Sequence, residues 1–281
     1  GVRLVGSEMC IRDSLETVLE RLGYENLKPR NTPMVAGQRL TKASDDELLS
    51  DEEATEFREQ LGSVQYLSCM TRLDISFAVS ELSRFMQRPG VQHQQALKRV
   101  FRYLSGTRDR GLTFCGTADG KSVLIGYSDA DWSNDPHTSK SISGLVFMLH
   151  GAAISWRSKS QEIVAMSTAE AELIAASRAA QEALYLRTML RDLGYEQTEP
   201  TTIFEDNDAC IAMSKNPVQR DKCKHFDRRD NFLRDNVERG HVVLVRKGTK
   251  EMTADVLTKA LAYLDHDRHV RHAMGVGNLP S

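Results

Sequence analysis

Along the first 110 residues, apolar positions recur at helical spacing and are broken by short polar or Pro/Gly stops. LETVLERLGYENLKPRNTPM, from Leu15, predicts a short amphipathic helix ending near Gly23 and then a proline-containing extended segment. The acidic stretch SDDELLSDEEATEFRE at 44–59 reads as a loop and the start of a helix, and LGSVQYLSCM continues the helical pattern. A third helical pattern runs from Ile75 to Met86, with Pro89 and Gly90 as punctuation. HQQALKRVFRYLSG places Ala96, Val100, Tyr103 and Leu104 on one face and spreads Lys98, Arg99 and Arg102 over the rest, with Gly106 as a stop.

The period then changes. LTFCG and SVLIGYSDA read as strands around a turn at Asp119-Gly120, and SGLVFMLHG and AAISWRSK as two more around His150-Gly151. TAEAELIAASRAAQEALYLRTMLRDLG is a long helix, capped by Ser167 or Thr168 and ended by Gly194. TTIFED is a strand, DACIAMSKN a short helix, FDRRDNFLRDNVERG another helix, HVVLVRKG a strand and TADVLTKAL a closing helix. VLIGY and TTIF are too continuously apolar for one wet face, so both belong in the middle of a sheet. The order predicts an α/β fold with a five-stranded mixed sheet flanked by helices, preceded by a mainly helical segment.

Composition narrows the function classes. Forty per cent of the 281 residues are hydrophobic and 27% charged, an ordinary globular balance. No apolar run reaches the roughly 18 residues of a membrane span. Cys10, Cys69, Cys115, Cys210 and Cys223 are scattered and make neither a zinc pair nor a disulfide framework. A net charge of -2 does not announce a nucleic-acid binder, but residues 84–110 and 215–234 hold local basic surpluses. GVRLVGSEMCIRDS at 1–14 fits poorly with the rest of the chain and reads as a non-native or disordered leader without function.

Four acids stand where strand ends or helix turns could gather them: Asp129 in GYSDADW, Glu172 in STAEAEL, Asp206 in FEDND and Asp255 in TADVL. Gathered carboxylates repel one another unless divalent cations neutralise them, an arrangement suited to two-metal hydrolysis of a phosphodiester. Each acid also has a plainer reading. Asp129 could cap a turn, with Asp131 beside it; Glu170 competes with Glu172 for the helix start; Asp206 or Asp208 could favour the next helix N-terminus; Asp255 could be a solvated first-turn acid.

These segments, in this order, resemble the C-terminal end of the reverse transcriptase plus the ribonuclease H domain of copia-type LTR retrotransposon Pol polyproteins. The resemblance is carried by RLGYENLKPRNTPM, LGSVQYLSCMTRLDISFAVSELSRFM, ALKRVFRYLSGTRDRGLTF, GYSDADW, SISGLVFMLHGAAISWRSKSQEIVAMSTAEAEL, EDNDACIAMSKNP, KHFDRRDNFLRD and TADVLTKAL. Leu73 stands where the family commonly has Pro, and Phe226 where Ile is frequent; neither is a ligand position.

The resemblance implies a thumb- or connection-like segment at 15–110, a ribonuclease H-like domain at 111–265 and a tail at 266–281. It implies cleavage of the RNA strand of RNA–DNA hybrids, with Asp129, Glu172, Asp206 and Asp255 holding two Mg²⁺, for which Mn²⁺ substitutes. Partners would be the hybrid and the upstream reverse transcriptase fingers and palm, with no membrane and no zinc. The location would be cytoplasmic, in virus-like particles, with access to the nucleus. No Tyr-x-Asp-Asp element occurs in this chain, so polymerase activity is not expected of it. Ser133, Asn134, Arg157, Lys159, Asn207, Lys215, Lys222 and Lys224 are candidate substrate contacts. Two other functions compete: an inactive nucleic-acid-binding or structural Pol remnant, and a DNA nuclease of the same fold.

Overall fold

The computed structural model describes residues 15–115, 122–133, 135, 138–215 and 227–276, without the side chains of 227–230. The leader at 1–14, the Asp119-Gly120 turn, Asn134, Lys222, Lys224 and Phe226 lie outside the described residues. The chain divides into two units, Gly1–Leu112 with Lys259–Val270, and Thr113–Thr258 with Arg271–Ser281. Residues 259–270, which the sequence divides between the nuclease-like domain and a tail, group with the first unit.

The first unit is helical. Its helices are α1 (residues 15–21), α2 (Asp51–Met70), α3 (Ser76–Ser83) and α4 (Val91–Ser105). Ser50 opens α2 by a reciprocal cap: its Oγ accepts from the Glu53 amide at 3.2 Å, and Glu53 Oε2 accepts from the Ser50 amide at 2.9 Å. Phe57, Leu61, Val64, Leu97, Val100, Phe101 and Leu104 fill its core. Leu73, at the family's Pro position, is fully buried.

A polar network lies inside this unit. The Arg72 guanidinium grips Asp74 with two bonds, Nε to Oδ1 at 3.0 Å and Nη2 to Oδ2 at 2.9 Å. The Tyr103 hydroxyl donates to Asp74 Oδ2 at 2.6 Å, and Arg110, paired with Asp267, donates to the Tyr103 hydroxyl at 3.2 Å. His266 Nε2 donates to the Asp74 carbonyl at 3.3 Å. Burial would push the Asp74 carboxyl up, but Arg72 and Tyr103 overcome it and leave it below its ordinary value.

The second unit carries the sheet: β1 (Ile125–Asp131), β2 (Ile142–Leu149), β3 (Ala152–Ser160), β4 (Thr201–Glu205) and β5 (Val242–Arg246), in the order β3-β2-β1-β4-β5. β1 pairs antiparallel with β2 and β2 with β3, while β1–β4 and β4–β5 are parallel. This is the five-stranded mixed sheet expected, with both strongly apolar strands in its interior. α5 (Thr168–Asp192) buries an alanine-rich face (Ala171, Ala175, Ala176, Ala179, Ala180, Ala183), which lets the helix come close to its neighbours. α6 (Asp208–Lys215) and α7 (Asp227–Glu238) belong to this unit, while α8 (Tyr263–Met274) has its residues up to Val270 in the first unit and the rest in the second. The β2–β3 hairpin turns through His150 and Gly151, both at positive φ (52° and 81°), which suits the twist of the strands.

Two segments depart from the sequence reading. LTFCG is not a strand: the Thr113 amide donates to the Met274 carbonyl and the Cys115 amide to the His150 carbonyl, each at 2.8 Å, and no strand ladder among the described residues includes them. TADVLTKAL does not close as an α-helix. Thr253–Leu257 is a 3-10 segment, with Asp255 donating to Met252 and Thr258 to Asp255 in i to i−3 bonds. Its position explains this, because it lies directly against β2. A Cβ added to Gly144 would meet Thr258 Cγ2 at 2.7 Å and the Ala254 carbonyl at 3.0 Å.

Candidate functional site

Asp129 sits near the end of β1 with its side chain buried, opposite Gly144 on β2. The missing side chain at Gly144 admits the 3-10 segment, and Thr258 Oγ1 thereby donates to Asp129 Oδ2. Glu172 projects from the second turn of α5. The start of that helix is fixed by Ser167 Oγ, which accepts from the Glu170 amide at 3.1 Å, and by Glu170 Oε2, which accepts from the Met166 amide at 2.6 Å. Glu170 is therefore the capping acid, and Glu172 is the one turned inward and buried. Asp206 follows β4 directly and accepts a 2.8 Å bond from Thr249 Oγ1.

One oxygen each from Asp129, Glu172 and Asp206 lies within 4.8 Å of the others. Three hard oxygen donors this close suit a divalent cation of the Mg²⁺ or Mn²⁺ class rather than zinc. Asp255 is buried on the 3-10 segment but falls outside this group of three.

Glu205, unremarked in the sequence, is a strongly perturbed acid next to Asp206. Strand alternation puts Thr201, Ile203 and Glu205 on the buried face of β4, and Glu205 is 0% exposed. Its Oε1 accepts from the Asp206 and Asn207 amides at 3.2 and 3.1 Å, while Oε2 has no hydrogen-bond partner among the described residues. Burial pushes its carboxyl from 4.5 up to about 9; Asp129 and Asp206 add to the rise, and the two amides only partly oppose it. The available signal was the register: an acid two residues after the apolar Ile203 has to face the same side.

The expected substrate contacts are dispersed. Arg157 and Lys159 are exposed on β3 and line a cavity of about 270 Å³ with Glu162, Arg178 and Glu182. Ser133 has φ 52°, an uncommon backbone for a non-glycine residue, and its amide donates to Ser141 Oγ at 3.2 Å. Asn207 uses its Oδ1 to accept from the Cys210 amide at 3.0 Å, capping α6, and Lys215 is exposed at the end of that helix. Trp132 is 45% exposed and donates through Nε1 to the Ala165 carbonyl at 3.0 Å. No helix among the described residues is long and apolar enough to cross a membrane.

No family model matches the chain. It is similar to the retrovirus-related Pol polyprotein from transposon TNT 1-94 of Nicotiana tabacum, 36% identical over 250 residues covering 88% of this chain and 18% of that protein. Similarity to the corresponding polyprotein from transposon RE1 of Arabidopsis thaliana is 37% over 257 residues, 92% of this chain and 17% of that one. Among solved structures, LC11-RNase H1 in complex with an RNA/DNA hybrid aligns over 48% of this chain and 93% of that chain, with 14% identity and a TM-score of 0.36. The chain spans less than a fifth of the polyproteins it matches. Across nearly its whole length, it belongs to the family of retrovirus-related transposon Pol polyproteins.

Proposed function

We propose that the second unit hydrolyses the RNA strand of RNA–DNA hybrids, as the ribonuclease H part of a copia-type retrotransposon Pol polyprotein. The observation that carries this reading is the convergence of Asp129, Glu172 and Asp206, from β1, α5 and the end of β4, with oxygens within 4.8 Å. Those three would hold the metal, and Asp255 would join them as a fourth ligand. When bound, a pair of Mg²⁺ ions, or Mn²⁺ in their place, supplies activation of water and offsets charge on the leaving 3′ oxygen.

The protein's own part is positioning. Thr258 and Thr249 hold the Asp129 and Asp206 carboxylates by their hydroxyls, and the Ser167–Glu170 cap sets the turn that carries Glu172. Glu205 gathers two successive amides and so shapes the turn from which Asp206 projects. Arg157, Lys159 and Lys215 would contact strand phosphates, which position a nucleic acid without reading its sequence. Products would carry 5′-phosphate and 3′-hydroxyl ends. In the intact polyprotein, hybrid would arrive from the reverse transcriptase palm upstream, and the work would take place in cytoplasmic particles.

The test is cleavage of end-labelled RNA–DNA hybrid, duplex DNA and duplex RNA by the purified chain with Mg²⁺. Cutting confined to the RNA of the hybrid, and lost in Asp129→Asn, is the expected result. Preferential cutting of duplex DNA would replace this reading with a DNA nuclease. Binding without cutting would leave an inactive remnant.

A further inference from the structure

The first unit has a second cationic feature that the hydrolytic site does not use. Arg72, Arg84, Arg88 and Arg110 are each paired with a carboxylate of the same unit. Arg30, Arg99 and Arg102 are not: among the described residues none of the three has an acidic partner. They nonetheless lie together, for the Arg30 amide donates to the Arg102 carbonyl at 3.2 Å, and both guanidinium groups act on Arg99. Burial first, then Arg30 and Arg102, hold the Arg99 guanidinium below its ordinary value. Like charges held together without a counter-ion cost free energy, which a bound anion would offset.

The surroundings form an open concavity. Arg30 and Arg99 line a cavity of about 280 Å³ with Asn31, Thr32 and Tyr263, all within this unit. Two of the guanidinium groups are held in place by the chain itself. Arg99 donates through Nε to the Thr32 carbonyl at 3.1 Å and through Nη2 to Thr32 Oγ1 at 2.9 Å; Arg102 donates through Nε to the Lys28 carbonyl at 2.6 Å. An arginine has five N–H donors, so these bonds leave both with donors to spare while limiting the ordering cost on binding. Tyr263 is 44% exposed beside them, an aromatic face of the kind on which sugars and bases rest.

We propose that Arg30, Arg99 and Arg102, with Asn31 and Tyr263, form a binding site for the backbone phosphates of a nucleic-acid strand, separate from the carboxylates that cleave it. The planar guanidinium fork matches phosphate oxygens two at a time, and two such groups lining one concavity, with Arg102 next to Arg30, suit a phosphodiester better than a single carboxylate. The strand would be one of the hybrid, which rests on the function proposed above. The site would add affinity without sequence preference.

The experiment measures binding and cutting separately on the full chain. Affinity for fluorescein-labelled hybrid is read by anisotropy across a salt series, with Asp129→Asn as background so that nothing is cut. Arg30→Gln is the principal variant because Arg30 is exposed. It should weaken binding about 10-fold at low salt and reduce the slope of log affinity against log salt by about 1, irrespective of sequence. Arg30→Lys should recover most of the loss. With Asp129 restored, Arg30→Gln should raise KM and leave kcat unchanged. Wild-type affinity and salt slope in Arg30→Gln, and again in Arg30→Gln/Arg102→Gln, would overturn the site. If the wild type fails to cut hybrid while Arg30→Gln still weakens its binding, the hydrolytic reading fails and the phosphate site stands.

Discussion

Two buried carboxyl groups, Asp74 in the helical unit and Glu205 in the sheet unit, are equally shut off from water and meet opposite company. Asp74 receives two bonds from Arg72 and one from the Tyr103 hydroxyl, and its carboxyl lies below the ordinary value. Glu205 receives two backbone amides, but burial, with Asp129 and Asp206 adding to it, drives its carboxyl up to about 9. The first arrangement is closed: charge is balanced inside the fold, and nothing further is needed. The second is open. It brings carboxylates from β1, α5 and the end of β4 within 4.8 Å of one another, an arrangement that a divalent cation would stabilise.

The contrast breaks most visibly at the chemistry. Asp129→Asn should lower Mg²⁺-dependent cleavage of hybrid by about 100-fold or more, since several kcal/mol of metal-borne stabilisation depend on that ligand. Circular dichroism should be unchanged; full activity in the variant would remove Asp129 from the site.

In the closed network the expected loss is of stability. Arg72→Met leaves Asp74 buried without its cation and should cost about 3–5 kcal/mol in urea denaturation. Arg72→Met/Asp74→Leu, which removes both charges, should recover much of that loss. A double variant as unstable as the single one would mean that packing by the arginine stem, rather than the charge pair, is what matters.

The two units should also answer pH in opposite directions. The Asp74 carboxyl lies lower folded than unfolded, so its contribution is present above the unfolded value of 3.8 and is lost as pH falls through the folded one. The Glu205 carboxyl lies higher folded than unfolded. Its contribution is complete below 4.5 and is lost as pH rises toward about 9, with a slope of at most about 1.4 kcal/mol per pH unit. Trp132 and Trp156 are the only tryptophans and both belong to the second unit, so their fluorescence reports that unit alone. In EDTA, its unfolding midpoint should fall from pH 6 to pH 9, and Glu205→Gln should flatten that fall. An unchanged pH profile in Glu205→Gln would show that another group sets it.

The smallest effect is expected at Thr249, whose hydroxyl holds the more open carboxylate. Thr249→Val should weaken Mg²⁺ dependence of cleavage by about 2- to 10-fold, the value of one such hydrogen bond, with kcat at saturating Mg²⁺ little altered. A shift in kcat alone would place Thr249 in the chemical step instead.

Much of this was legible in the chain because local signals agreed. The continuous apolar runs of VLIGY and TTIF marked interior strands, and a cap at Ser167 or Thr168 marked the start of α5, where the structure selects Ser167. That cap also separates two competing acids, since a residue bonding back to the cap cannot also turn inward. The parts that resisted are those where distant contacts override local preference. TADVLTKAL has a helical pattern, yet the contact of Thr258 and Ala254 with Gly144 holds it as a 3-10 segment. The Asp74 network joins residues as far apart as Arg72 and His266, which no periodicity can connect. Glu205 was hidden for another reason: beside Asp206 it reads as one more acid in a polar turn, and only the strand register reveals that it points into the interior.

The account stands on the carboxylates of the sheet unit taking up metal together. Anomalous diffraction from crystals soaked in Mn²⁺ tests this directly. It should show a peak bounded by Asp129, Glu172 and Asp206 and, with hybrid bound, a second about 4 Å away. Ordered carboxylates with no anomalous signal between them at saturating Mn²⁺, or signal only elsewhere on the protein, would contradict it.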